Sequence, residues 1–265
     1  MVNFQRKQRY GWEDLLTIMH LLRAPEGCPW DREQTHQSIR MEFIEETYEA
    51  VEAIDTNDIP LMREELGDVL LQVAFHCQIE REQGSFTFDD VCDEVCKKLI
   101  ERHPHVFGEL NLSDTEAVLK NWDKIKQEKK QQSNTDTLTA VSKALPALMR
   151  AQKVGKRAMR AGMDFDNVQD AFTCISQETA ELQEAMQSGT QEQVEEELGD
   201  LLFSCVNTAR HLHVDAEEAL TRATEKFIRR FQKTEELLKQ EGIEMNSLGI
   251  DALDVYWRRA KEAIR

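Results

Sequence analysis

The chain carries acidic residues whose spacing suits a metal centre. In its second half Glu178 and Glu181 are three residues apart, and Glu197, sixteen positions after Glu181, is followed three residues later by Asp200. Residues three or four apart lie on one face of a helix, so each pair predicts two carboxylates on the same side. Two such helices in a hairpin would gather four oxygen ligands, the donor type that Mg²⁺ prefers, with Mn²⁺ as a substitute.

The same pattern occurs in the first half, at a constant offset of 132 residues, as Glu46, Glu49, Glu65 and Asp68. A single Glu-x-x-Glu would favour a solvated acidic face, because Glu is a common helix residue. However, Glu46 and Glu178 each interrupt an apolar stripe, where an unpaired carboxylate is costly to bury. Four carboxylates in one hairpin also repel one another unless a cation neutralises them. The repeated pattern therefore favours a metal site, and its lack of His disfavours zinc or di-iron.

Composition narrows the class of protein. The 265 residues include only 11 Gly and 5 Pro, which favours helix, and the formal net charge of −17 argues against binding a nucleic-acid backbone. The first ten residues lead into no apolar run, so we expect no signal peptide, no membrane span and no membrane partner. None of the six cysteines forms a Cys-x-x-Cys pair, which indicates reduced core thiols in a cytoplasmic protein.

Hydrophobic periodicity predicts an all-α protein built from tandem duplicated four-helix-type bundles. We divide it into an N-terminal helical domain at residues 1–130, a linker at 131–139 and a C-terminal domain at 140–265. The linker assignment depends on the polar tract Gln131–Thr137, which predicts weak local structure, and the breaker-rich segment Ala24–Asp31 predicts a rigid loop. Residues 113–130 predict an exposed charged helix.

Oxygen ligands for Mg²⁺ usually leave open positions for water and phosphate, which indicates phosphate-ester or phosphoanhydride chemistry. No Gly-rich phosphate loop is present, so side chains and metal must hold the anion.

The two copies of Glu-Glu-x-x-Glu…Glu-x-x-Asp, the second beginning with Gln177, occur together with Gly27-Cys28-Pro29-Trp30-Asp31 and Arg102-His103-Pro104-His105-Val106-Phe107-Gly108. In this combination the chain resembles the bacterial two-domain MazG proteins over nearly its whole length. The resemblance implies an all-α, homodimeric, Mg²⁺-dependent enzyme that converts nucleoside triphosphates to the monophosphate and pyrophosphate.

The resemblance also implies roles for individual residues. It places catalysis chiefly in the second domain, with metal ligation by Glu178, Glu181, Glu197 and Asp200. It matches Lys226 and Arg230 to phosphate contacts, Trp257 to the nucleotide and Lys126 to a further substrate contact. The first cluster, Glu46, Glu49, Glu65 and Asp68, is a candidate second metal site.

Two departures from the pattern leave the active domain open. Gln177 stands where the first copy keeps Glu45, and Gln193 and Glu195 precede Glu197 in a stretch where a basic side chain could have met phosphate and where the first copy has Arg63. The alternative function is a non-catalytic helical interaction module whose acidic clusters are stabilised by cations.

Overall fold

The computed structural model describes residues 4–110, 114, 117, 118, 121 and 133–264. Across these residues the regular secondary structure is helical, and no strand occurs, which confirms the predicted all-α class. The chain divides into two compact units, Met1–Lys129 and Lys130–Arg265. No helix within the described ranges is both long and apolar enough to span a membrane.

The described helices of the first unit are α1 Trp12–Arg23, α2 Pro29–Glu33, α3 His36–Asp55, α4 Ile59–Gln83, α5 Phe88–Arg102 and α6 Pro104–Phe107. Those of the second unit are α7 Asn134–Thr139, α8 Ala147–Arg160, α9 Val168–Ser188, α10 Gln191–His211, α11 Ala216–Gln240 and α12 Ile250–Ala263, with a short 3₁₀ turn at Met245–Ser247. In each unit two consecutive long helices pack closely: α3 against α4, and α9 against α10.

Capping residues set where these hairpin helices begin. Thr35 accepts a hydrogen bond from the Ser38 amide at the start of α3, and Asp58 accepts one from the Leu61 amide at the start of α4. In the second unit Asn167 caps α9 and Thr190 caps α10 in the same way. Each cap pairs amides that a helix cannot satisfy internally, so the turns are fixed locally and the acidic pairs keep their register.

The core of the first unit lies among α1, α3 and α4. Met19, Ile39, Phe75 and Ile79 are at most 5% exposed and form one cluster. In the second unit α8 packs closely against α10. The absence of a side chain at Gly155 permits this, since an added Cβ there would lie 2.9 Å from the Asn207 side-chain oxygen. These contacts hold the two hairpins in place.

A buried Arg ties the segment before each hairpin to the hairpin's second helix. Arg23 donates to Glu82 of α4 at 2.8 Å and to the backbone carbonyl of Asp31 at 2.5 Å. In the second unit the charges are exchanged: Arg210 of α10 donates to Asp164 at 3.0 Å, and His211 contacts the same carboxylate. Sequence reasoning did not identify either pair.

Three predictions need correction. The segment Ala24–Asp31 is not loop throughout, because Pro29 starts α2 from a first-turn position, where its missing N–H is not needed. The linker 131–139 is not weakly structured where it is described: Ser133 and Asp136 form a capping box that starts α7. The cysteines are all free, but only Cys77 is buried, while Cys96 and Cys205 are exposed.

Two other predictions fall outside the described residues. These are positions 131–132 of the linker and most of the charged helix at 113–130.

Candidate metal centre

The C-terminal cluster brings together three carboxylates from two helices. Glu178 and Glu181 lie on α9 and Glu197 lies on α10, and one oxygen of each is within 4.8 Å of the other two. Opposite ligands of an octahedral Mg²⁺ are about 4.2 Å apart, given Mg–O distances of 2.0–2.1 Å. Only one of the three oxygen pairs can take opposite positions, and adjacent ligands are about 2.9 Å apart, so each oxygen must move inward by roughly 1 Å to bind one ion.

The N-terminal cluster has the same arrangement. Glu46 and Glu49 of α3 and Glu65 of α4 place one oxygen each within 4.8 Å of the others. Glu65 is buried, at 8% exposure, and burial, followed by the charges of Glu49, Asp68 and Glu46, raises the pKa of its carboxyl. A bound cation would offset this clustered negative charge.

The predicted fourth ligands, Asp68 and Asp200, are not members of these groups of three. Each still lies close enough to act electrostatically: the negative charge of Asp68 raises the pKa of Glu46, and that of Asp200 raises the pKa of Glu178. The structure thus brings together three of the four predicted carboxylates in each cluster, with the fourth beside them.

Burial and mutual repulsion disfavour the charged form of these groups. Burial raises the pKa of Glu178 first, followed by the charges of Glu181 and Asp200. The pKa of Glu197 is raised by the same causes in the same order. In the first cluster burial is again the leading cause for Glu46 and Glu65. The protein therefore holds negative charge where the energy of doing so is unfavourable without a cation.

The donor set fits a hard divalent cation. Both groups of three consist of carboxylates only, with no His or Cys among them. Within the described part of the chain, no Lys or Arg forms an ion pair with any of these six carboxylates. Unpaired carboxylates that converge in this way suit Mg²⁺ or Mn²⁺ better than softer metals.

The residues matched to phosphate contacts lie on α11. Lys226 is exposed and Arg230 is one turn later, half-buried, with a buried Nε that lacks a hydrogen-bond partner. No ion pair among the described residues joins either side chain to the carboxylates. Both cations are therefore available to an anion.

Trp257 of α12 packs against Phe227 of α11, with ring centroids 5.0 Å apart. This contact places the indole beside the helix that carries Lys226 and Arg230, so the structure brings three of the predicted substrate residues into one region. The fourth, Lys126, lies outside the described residues.

Gln177 and Gln193, which depart from the expected pattern, have different surroundings in the structure. Gln177 is exposed on α9, next to Glu178 in the chain. The Gln193 side chain accepts a hydrogen bond from the Thr190 amide and so forms part of the cap of α10. Gln193 therefore has a structural role at this helix start.

Sequence reasoning missed Ser204. It lies on α10, one turn after Asp200, is 8% exposed, and its side chain opposes the rise in the pKa of the Glu178 carboxyl. The available signal was a polar residue inside the apolar run Leu201–Cys205. A single Ser in a helix gives weak information, because it can equally bond to its own backbone.

Comparison with known proteins matches both halves of the chain to one family. A family model described as the MazG nucleotide pyrophosphohydrolase domain matches residues 34–107 and again residues 167–234. These segments contain the N-terminal and C-terminal carboxylate clusters respectively. The predicted duplication of one helical domain is thereby confirmed.

Full-length relatives show the same similarity. The nucleoside triphosphate pyrophosphohydrolase/pyrophosphatase MazG of Thermotoga maritima is 45% identical over 250 residues, which are 94% of this chain and 95% of the relative. The nucleoside triphosphate pyrophosphohydrolase of Escherichia coli K12 is 43% identical over 251 residues, 93% of this chain and 95% of that protein. The uncharacterized protein YabN of Bacillus subtilis is 44% identical over 94% of this chain, which spans 51% of YabN.

Proposed function

The chain belongs to the MazG nucleotide pyrophosphohydrolase domain family, and from that premise we propose that it is a Mg²⁺-dependent enzyme that hydrolyses nucleoside triphosphates to nucleoside monophosphate and pyrophosphate. The observation that carries this proposal is the convergence of Glu178, Glu181 and Glu197 within 4.8 Å, with no Lys or Arg of the described residues paired to them. Mn²⁺ would substitute for Mg²⁺, because both accept all-oxygen ligand sets.

In this proposal Glu178, Glu181 and Glu197 hold the metal, and Asp200 provides a fourth carboxylate beside them. Bound Mg²⁺ supplies Lewis acidity and offsets the negative charge of the triphosphate. A Mg²⁺ ion held by a few carboxylates would keep coordination positions for water or phosphate oxygens. The site then has room for phosphate oxygens as well as protein ligands.

Water attacks the α-phosphorus, the bond from that phosphorus to the bridging α–β oxygen breaks, and pyrophosphate leaves with the electron pair. A carboxylate beside the attacking water accepts its proton as general base. Lys226 and Arg230 bind the departing pyrophosphate and stabilise the charge that develops on it.

Trp257 provides an aromatic surface for the nucleotide next to these cations. Its packing on Phe227 fixes the ring, so little conformational freedom is lost when a base contacts it. Lys126 stays a prediction of an additional substrate contact.

We also propose that the chain forms a homodimer. The α5 residues Val91, Val95 and Leu99 are 37–47% exposed and form a stripe at four-residue intervals. On α11, Phe227 and Phe231 are also exposed. Helix faces of this kind are normally buried, and a second copy related by two-fold symmetry would cover them.

The test is pyrophosphate release from a mixture of the four ribonucleoside triphosphates, with Mg²⁺ or with EDTA. We expect Mg²⁺-dependent release by the wild type and almost none by Glu178→Ala. Gln169→Ala, an exposed change in the first turn of the same helix, is the control and should retain activity. If the wild type releases no pyrophosphate with Mg²⁺, the non-catalytic interaction module is the better account.

A further inference from the structure

Two histidines join the start of α3 to α4. The Nδ1 atom of His36 lies 2.6 Å from the Nδ1 atom of His76, and the two rings are nearly parallel, at 12°. Stacked faces would stay about 3.5 Å apart, so the rings meet edge to edge, with the two nitrogens directed at each other. The distance of 4.9 Å between ring centroids agrees with this, because it is close to the largest value that the nitrogen contact allows.

The other ring nitrogen of His36 fixes where the protons lie. Its Nε2 is 2.6 Å from a carboxylate oxygen of Glu80, one turn after His76 on α4. A carboxylate can only accept, so the His36 Nε2–H donates to Glu80. The Nδ1 atom of a neutral His36 then carries no hydrogen, and the contact between the rings requires that the His76 Nδ1–H donates to it. The three side chains thus form one chain of hydrogen bonds.

This chain of hydrogen bonds can take up one positive charge but not two. The first added proton makes one ring cationic, and the Glu80 carboxylate balances that charge. A second would place a hydrogen on each Nδ1 atom, and two N–H groups cannot face each other across 2.6 Å. The pKa of His76 is lowered, by burial first and then by the charge of His36. Two unfolded histidines accept both protons, so the folded contact loses stability as the pH falls below about 6.5.

The charged groups around the pair leave its second proton unbalanced. Within the described ranges, Glu80 is the only carboxylate that forms an ion pair with either ring. On α3, Arg40 is exposed one turn after His36 and adds positive charge, while Phe43 packs on the His76 ring with centroids 5.7 Å apart. The charged groups that contact α4 from α1 and α5 meet other faces of that helix. They are His20 and Arg23 of α1, which bond Gln78 and Glu82, and Asp89 of α5, which lines a cavity with Arg81.

We propose that the His36–His76 pair is an acid-sensitive contact, which holds the start of α3 to α4 near neutral pH and releases it in mildly acidic solution. It belongs to the N-terminal unit alone. At the equivalent positions, 132 residues later, stand Val168, Thr208 and Leu212, which do not titrate in this range. Acid should therefore loosen one unit of the duplicated chain and not the other, whether or not the chain hydrolyses nucleotides.

Three substitutions separate the titration of the pair from folding. His76→Gln supplies an amide oxygen that can accept from His36 and does not titrate. His36→Gln removes the titration from the other ring, so one variant decides if the other fails to fold by circular dichroism. The control is His213→Asn, because His213 is exposed in the second unit at a φ of 57°, a conformation that Asn tolerates.

The experiment is amide hydrogen exchange, followed by mass spectrometry, on the full chain in EDTA at pH 7.5 and 5.5, corrected for the intrinsic pH dependence of exchange. We expect the first turns of α3 to lose protection by about 3- to 10-fold at pH 5.5. The upper value is the factor by which a released imidazole favours its protonated form one pH unit below its ordinary pKa. The equivalent helix α9 should keep its protection.

In both Gln variants α3 should be equally protected at the two pH values, and His213→Asn should behave like the wild type. Protonation of the carboxylate clusters raises stability over the same range, so it cannot cause the expected loss. The proposal is overturned if α3 of the wild type stays protected at pH 5.5, or if α9 loses protection to the same extent. It is also overturned if the folded Gln variants are as acid-sensitive as the wild type.

Discussion

At the scale of single residues, six glutamates explain most of the chemistry that we propose. The sequence identified all of them, because the motif recurs at one offset and interrupts apolar stripes. It did not show that Asp68 and Asp200 lie beside their clusters and not within them, since side-chain reach depends on the local packing of two helices. Nor did it identify Ser204, whose effect on the pKa of Glu178 depends on how the two helices pack.

The two clusters should differ in their contribution to turnover. We expect Glu181→Ala to lower kcat/KM at least about 100-fold, because loss of an outer-shell partner alone typically costs 10- to 100-fold. Glu49→Ala, the equivalent change in the first cluster, should keep most activity and mainly affect assembly. Steady-state pyrophosphate release checks both variants, and the reverse ranking would show that Gln177 has moved activity to the first domain.

The metal-free clusters should destabilise the protein at neutral pH. Burial and neighbouring charge raise the pKa of Glu197 above its ordinary 4.5, so the folded state binds its proton more tightly than the unfolded state. This difference in proton affinity makes the folded protein more stable as the pH falls from about 7 toward 4.5.

We therefore expect Glu197→Gln to raise the Tm measured in EDTA at pH 7, with the difference from wild type narrowing as the pH falls. With saturating Mg²⁺ the order should reverse, because the variant loses a ligand and the stabilisation by bound metal. Thermal denaturation followed by circular dichroism provides both curves. A variant that is less stable than wild type in EDTA would mean that the carboxylates do not repel one another as described.

At the scale of elements, the sequence predicted the long helices closely. Apolar periodicity predicts helices over residues 88–102 and 61–83; α5 has the predicted bounds, and α4 begins two residues earlier than predicted. Caps such as Thr87 and Gly84 define these ends locally, so the signal is present in the sequence. The short helices α2 and α7 were missed because a few residues of helix among Pro, Ser and Asn are also typical of turns.

The charge pair before the second hairpin should stabilise the C-terminal unit. Arg210 donates to Asp164 and lowers the pKa of that carboxyl to about 2. A depressed pKa contributes stability that is present above the unfolded value of 3.8 and is lost as the pH falls toward about 2.

Asp164→Asn should therefore lower the free energy of unfolding at pH 7 by about 2 kcal/mol, because the buried Arg210 loses its partner. At pH 2 the difference from wild type should be much smaller. Urea unfolding at the two pH values measures both, with the exposed Asp166→Asn as control. An equal loss at both pH values would show that ionisation of Asp164 is not the cause.

At the scale of the whole molecule, the sequence predicted a duplicated all-α protein, and the structure and comparisons confirm it. The prediction succeeded because both copies keep the same acidic pattern and the same apolar periodicity. Which exposed stripes form the interface of the proposed dimer could not be predicted from periodicity, since a buried stripe and an interface stripe have similar composition.

The homodimer proposal predicts that charge on the α5 stripe disrupts assembly. The double variant Val95→Asp, Leu99→Asp should sediment near the 30.7 kDa of one chain, whereas the wild type should sediment at about twice that mass. Lys97→Asp, which reverses a charge on the opposite face of α5, should stay dimeric. Analytical ultracentrifugation decides, and a monomeric wild type would contradict the proposal.

The central claim is that Glu178, Glu181 and Glu197 bind the metal that acts on a nucleoside triphosphate. Its most direct test is a crystal structure with Mn²⁺ and a triphosphate analogue that resists cleavage between its α and β phosphates, with the ion located by anomalous scattering. We predict an anomalous peak within bonding distance of these three carboxylates and of phosphate oxygens. Nucleotide density with no ion at either cluster at saturating Mn²⁺ would contradict the claim.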